Sequence, residues 1–73
     1  MSVSYKRLWK LLNDRDMLKK DLQAVAGISP GAIAKLGRNE NVTTAILMKI
    51  CNALRCDIGD IMEIIPDDLK DKT

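Results

Sequence analysis

The side chains here that are best suited to chemistry are cations in a particular setting. Lys19 and Lys20 open the stretch K-K-D-L-Q-A-V-A-G-I-S-P-G-A-I-A-K-L-G-R, and Lys35 and Arg38 close it. Ammonium and guanidinium groups donate charge-assisted hydrogen bonds and select anionic acceptors, phosphate among them. Ser29, Asn39, Asn41, Thr43 and Thr44 add neutral polar groups within or just after the same stretch. Bond-breaking chemistry has no comparable set. The chain has no His, no phosphate-cradling Gly-rich loop and no nucleophile with a base near it in sequence, so the groups of acid–base and nucleophilic catalysis are missing. Asp57, Asp60 and Glu63 recur at a spacing that a solvated helix surface explains. Cys51 and Cys56 lie five residues apart without His or further Cys, too few ligands for zinc, and read as small buried hydrophobes. The expectation is a non-enzyme with no metal and no cofactor.

Seventy-three residues make one domain, near the lower limit for a single core without metals or disulfides. The chain is 47% hydrophobic, chiefly Leu, Ile, Ala and Met, with Tyr5 and Trp9 its only aromatics. Such a composition suits helices, and no alternating β-branched run predicts a strand. The net charge of +2 conceals an asymmetry. Residues 1–56 hold ten Lys/Arg against four Asp/Glu, whereas residues 57–73 hold two against six. A basic body with an acidic tail fits a polyanion held by the body. The start is polar and interrupted by Lys6, Arg7 and Lys10, unlike a signal peptide. No apolar run approaches the ~20 residues that span a bilayer. The protein is therefore expected in the cytoplasm, without membrane contact and with reduced cysteines.

These groups need a scaffold, and the pattern predicts five short helices. Leu8, Leu11 and Leu12 form an i, i+3, i+4 stripe on helix 1, about Ser4 to Asp14. Helix 2, about Lys19 to Ala26, starts at Leu18 without a capping side chain, with Asp21 in its first turn facing the positive end of the dipole. Leu22 and either Val25 or Ala26 face inward. Gly27 supplies the left-handed closure. Helix 3 begins clearly, with Ser29 as N-cap, Pro30 at the first helical position, and Ile28 and Ile33 as a hydrophobic staple. Gly37 stands at its end. After the polar loop Arg38 to Asn41, Thr43 caps helix 4, whose stripe is Leu47, Ile50, Cys51 and Leu54. Asp57 and Asp60 form an acidic capping box that would open helix 5, and Pro66 would stop it. Its apolar face, Ile58, Ile61, Met62 and Ile65, suits either a dimer surface or the core. Residues 1–66 are thus read as the domain and residues 67–73 as a charged, flexible tail.

On helix 3, Ile33, Leu36 and Ala32 point one way, and Gly31, Ala34, Lys35 and Arg38 point the other. That outer face is small at its start and basic at its end, the shape needed to approach base edges in a DNA major groove. Lys35 suits guanine O6 or N7, and the Ala34 methyl suits a thymine methyl. Lys19 and Lys20, Ser29, Arg38, Asn39, Asn41, Thr43 and Thr44 surround it as candidate phosphate contacts, two helix N-termini among them.

Leu22, Gly27, Ile28, Ile33 and Leu36, together with V-T-T-A-I-L-M-K-I-C-N-A-L-R-C-D-I-G-D over Val42 to Asp60, resemble the Cro/lambda-repressor type of helix-turn-helix domain of bacterial and phage regulators. The resemblance covers about residues 5–65. It implies a lambda-repressor-like all-α bundle of five helices, operator binding usually as a homodimer, and the helix at about 30–37 in the major groove. It further implies that Pro30, Gly31 and Lys35 face DNA, and that Lys19 touches phosphate or sugar. Gln23 departs from the Ala usual in that family, and Pro30 and Gly31 replace its common polar readers. Neither Pro30 nor Gly31 has a hydrogen-bonding side chain, so DNA shape would carry part of the specificity. The expectation is a small transcriptional regulator, a repressor, on double-stranded DNA. The competing expectation is a protein-binding module of the same fold, an antitoxin or adaptor without base readout.

Overall fold

The computed structural model describes residues 1–67. Strand β1 (Ser2–Ser4) leads into helices α1 (Lys6–Asp14), α2 (Lys19–Ala26), α3 (Pro30–Gly37) and α4 (Thr44–Leu54), then a 3-10 turn (Ile58–Asp60) and strand β2 (Glu63–Ile65). The charged tail expected over residues 67–73 lies, from residue 68 onward, outside the described residues.

Two expectations are corrected. The fifth helix is absent among the described residues, and a strand pair is present. The Asp57/Asp60 box forms as expected: the Asp57 N–H donates to Asp60 Oδ2 at 2.9 Å, and Asp57 Oδ1 accepts from the Ile58 N–H at 2.7 Å. It opens only one 3-10 turn. Gly59 weakens any longer helix there, β-branched Ile61, Ile64 and Ile65 favour extended backbone, and Pro66 pushes Ile65 out of the helical region. The strand then pairs antiparallel with β1, Val3 opposite Ile64. Helix 1 accordingly begins at Lys6, since Ser4 belongs to β1. With no helix over 58–65, its apolar residues do not share one face. Ile61 enters the core at 0% exposure, Ile58 is exposed, and Met62 and Ile65 are half-buried.

The core takes Leu8 and Leu12 from α1, Leu22 and Ala26 from α2, Ala32 and Leu36 from α3, and Leu47, Ile50 and Leu54 from α4. Of the two inward candidates on α2, Ala26 is buried and Val25 is exposed. Ile33 is half-buried against the core.

Helices α1 to α4 all end in the same way. Asp16, Gly27, Asn39 and Arg55 adopt positive φ of 55 to 67°, and the residue after each donates its N–H five residues back. These bonds are Met17 to Leu12, Ile28 to Gln23, Glu40 to Lys35 and Cys56 to Cys51, at 2.9 to 3.3 Å. The closure satisfies carbonyls that the last turn leaves unpaired and redirects the chain. A second device fixes the loop after α3. The Tyr5 hydroxyl donates to the Glu40 carbonyl at 2.8 Å, and the Tyr5 N–H donates to Asn39 Oδ1 at 3.1 Å. Tyr5 is buried at 1% exposure, and burial holds its phenol above the usual range.

Gly27→Ala is expected to destabilise the domain by about 1 kcal/mol, because a Cβ is strained in the left-handed region even where space is open. Arg55→Gly removes the same strain and is expected to stabilise by about 0.5–1 kcal/mol. Urea denaturation of both variants checks the opposite signs. Tyr5→Phe deletes one hydrogen bond and leaves the Glu40 carbonyl short of a partner, an expected loss of about 1–2 kcal/mol. Faster amide exchange at Glu40 and its neighbours, measured by NMR, would accompany it.

Candidate nucleic-acid interface

The start of α3 is fixed locally. Ser29 is extended, with its Oγ accepting from the Ala32 N–H at 3.1 Å, and Pro30 occupies the first turn. Burial of Ala32 and Leu36 then decides which side faces out. Pro30, Gly31, Ala34 and Lys35 are all exposed on that side. A Cβ built on Gly31 would meet only the Ser29 side chain, at an ordinary 3.7 Å. The face is therefore open, with little relief at its start.

Thr43 caps α4 in the same manner, its Oγ1 accepting from the Ile46 N–H at 3.3 Å. The two capped N-termini, of α3 and α4, border one cleft of about 330 Å³. Ser29, Gly31, Lys35 and Thr43 line it, with Val42 and Ile46 as apolar floor. Four of the residues singled out from sequence thus come together. The positive dipole ends of two helices, a neighbouring ammonium and apolar Val42 and Ile46 suit an anionic, partly apolar ligand surface.

The remaining candidates divide. Lys19 is exposed and its Nζ sits 4.5 Å from the centroid of the Trp9 ring, a cation–π contact that holds the ammonium. The same Nζ lies 3.6 Å from where a Cβ of Gly37 would stand, which places it at the end of α3. Lys20, Asn41 and Thr44 are exposed. Asn39 has a structural task, since its side-chain oxygen accepts from the Tyr5 N–H. Ser29 and Thr43 are likewise engaged as caps through their oxygens.

Arg38 is bound more firmly than its sequence position suggests. Its Nε donates to Glu40 Oε2 at 2.5 Å, and the hydrogen bond and charge of Arg38 hold the Glu40 carboxyl below the usual range. Lys35 lowers it further. Glu40 therefore offsets part of the positive charge at the end of α3. Neither this pair nor the Trp9–Lys19 contact was found from sequence. Glu40 stands two residues from Arg38, too close for helix periodicity to pair them, and Trp9 and Lys19 belong to different helices.

Among the described residues no group of three or more His, Cys, Asp or Glu is arranged to hold a metal ion, and no helix is long and apolar enough to cross a membrane.

Comparison with known proteins bears on this face. A search of curated proteins finds no match. The crystal structure of the transcriptional regulator VanUg is similar, with a TM-score of 0.85 and 54% sequence identity, covering 89% of this chain and 87% of that one. Residues 7–67 match the family model of the Cro/C1-type helix-turn-helix DNA-binding domain. That span takes in α1 from its second residue, α2 to α4 and the strand that follows, so the chain belongs to the Cro/C1-type helix-turn-helix DNA-binding family.

Proposed function

We propose that the protein is a repressor that binds a specific operator in double-stranded DNA with α3 in the major groove. The observation that carries this reading is the open outer face of α3, basic at its end and bordered by two capped helix N-termini, in a chain of this family. Pro30, Gly31, Ala34 and Lys35 face the bases. Lys35 supplies the charged donor, while the flat start of the helix lets the backbone approach closely and leaves groove shape to carry the rest. Lys19, Lys20, Arg38, Asn41 and Thr44 bind phosphate through their side chains. Ser29 and Thr43 do so through the helix starts they cap, and Asn39 through the amide group it does not use on Tyr5.

Binding is as a homodimer on an inverted repeat, with half-sites about one helical turn, ~34 Å, apart. Ile58, with half-buried Met62 and Ile65, supplies apolar surface for the contact between copies, whereas Ile61 serves the core. The protein acts in the cytoplasm.

Selection from a random duplex library at near-physiological salt is expected to enrich an inverted repeat. Binding without enrichment, or no binding, would replace this reading with a protein-binding module. Lys35→Glu combined with Arg38→Glu is expected to abolish duplex binding while the circular dichroism of the helices is unchanged. Glu40→Gln acts in the opposite direction. It releases Arg38 and Lys35 toward phosphate, and is expected to raise affinity several-fold and steepen the salt dependence by about one unit of log K against log salt. Filter-binding titrations across a salt series would read both quantities.

A further inference from the structure

Cys51 and Cys56 lie at the far end of α4 from the capped N-terminus that borders the α3 cleft. They occupy the two positions that the left-handed closure brings together. Arg55 takes the positive φ of 55°, and the Cys56 N–H donates to the Cys51 carbonyl at 3.1 Å. With standard bond lengths that bond alone keeps the two Cα atoms within about 7 Å, the outer reach of a disulfide. The thiols are near enough to act on each other. Burial, the Cys56 thiol beside it and the carboxylates of Asp57 and Asp60 push Cys51 up to about 11.

Both side chains are half-buried rather than sealed. Cys56, but not Cys51, lines an open cleft of about 380 Å³ that also carries Arg7, Lys10, Arg15 and Arg55. Two carboxylates share its walls, Asp14 and Asp60, and Asp14 is paired with Lys10 at 3.5 Å. Arg7 donates to the Gly59 carbonyl, and Arg15 donates to the Leu54 carbonyl. These bonds fix two guanidinium groups in the wall, and Arg7 is also ion-paired with Glu63 at 3.5 Å. The lining thus carries four cations against two carboxylates, with Arg15 and Arg55 the cations outside any ion pair among the described residues. A partly exposed thiol on a wall that also holds the unpaired cations Arg15 and Arg55, with a second thiol against it, suits a reactive cysteine and its resolving partner.

We propose that Cys56 and Cys51 form a reversible redox site that is oxidised by an anionic low-molecular-weight disulfide drawn into the Arg/Lys cleft. Cys56 loses its proton to solvent and attacks one sulfur of that disulfide, expelling the first thiolate and leaving a mixed disulfide. Cys51 then loses its proton to solvent and attacks Cys56 Sγ, expelling the second thiolate. Both leaving thiolates take up protons. The protein pair is oxidised by two electrons, and one small disulfide is reduced to two thiols. Cys56 attacks first because it alone opens on the cleft. Its conversion to the mixed disulfide removes its own share of the shift on Cys51 and so eases the second deprotonation.

The test is intact-mass spectrometry of the reduced full chain incubated at mildly alkaline pH with glutathione disulfide or, in parallel, with cystamine, its cationic counterpart. The expected product is a monomer lighter by two hydrogens and restored by dithiothreitol. Glutathione disulfide should react several-fold faster than cystamine when each rate is divided by that of a neutral cysteine peptide. Cys51→Ser should stop at one glutathionyl group on Cys56, and Lys10→Gln with Arg55→Asn should narrow the preference for the anionic reagent. Two stable adducts on the wild-type chain, a disulfide between chains, or faster reaction with cystamine would each overturn the proposal.

Discussion

The constraint on which the rest of the structure depends is the way its short helices stop. Helices of eight to eleven residues are too short to persist alone in water, so each depends on packing against the others. Packing in turn requires that the chain leave every helix at a set angle. One residue in the left-handed region and one hydrogen bond reaching back five residues provide that angle four times over. At three of the four ends the residue is Asp, Asn or Arg rather than Gly, so the strain of a Cβ at positive φ is accepted in exchange for a defined exit. The same geometry brings the side chains on either side of the closure together. Cys51 and Cys56 meet at the end of α4, and the ammonium of Lys35 lies near enough to Glu40 to act on its carboxyl at the end of α3.

The second pairing shapes the electrostatics of the exposed α3 face. A face made only of cations would hold any polyanion strongly and distinguish poorly among them, since phosphate attraction is independent of sequence. Glu40 tempers that attraction by engaging Arg38 directly and Lys35 at longer range. The backbone of Glu40 meanwhile stays fixed, because its carbonyl accepts from Tyr5. Charge and position are thereby set by different parts of one residue.

How much of this was legible in the sequence follows from the range of the signals. The turn between α2 and α3 could be read because its determinants are adjacent: Gly27 for the left-handed residue, then Ser29 and Pro30 for the next start. The Thr43 cap, the helix 4 stripe and the Asp57/Asp60 box were equally local. The strand pair was not legible, because each strand has three residues and its partner lies some sixty positions away. Without that partner, Ile58 to Ile65 reads as a helix; with it, the β-branched residues and Pro66 decide for extended chain. The non-glycine closures at Asp16, Asn39 and Arg55 were hidden for a related reason. Nothing in an isolated Arg marks it for positive φ, and the packing that follows imposes it. At the α3 face, helical periodicity identified the exposed side chains, but the partners that restrain Lys19 and Arg38 come from Trp9 and Glu40, outside that periodicity.

The strand pair has a mechanical meaning. β1 and β2 join the two ends of the described chain side by side, and α1 to α4 are enclosed in the loop between them. Tyr5 is the residue after β1, and it reaches directly to Asn39 and Glu40. Tension applied at either end is therefore borne first by the few bonds of this clasp, and its next anchor inward is the loop that follows α3.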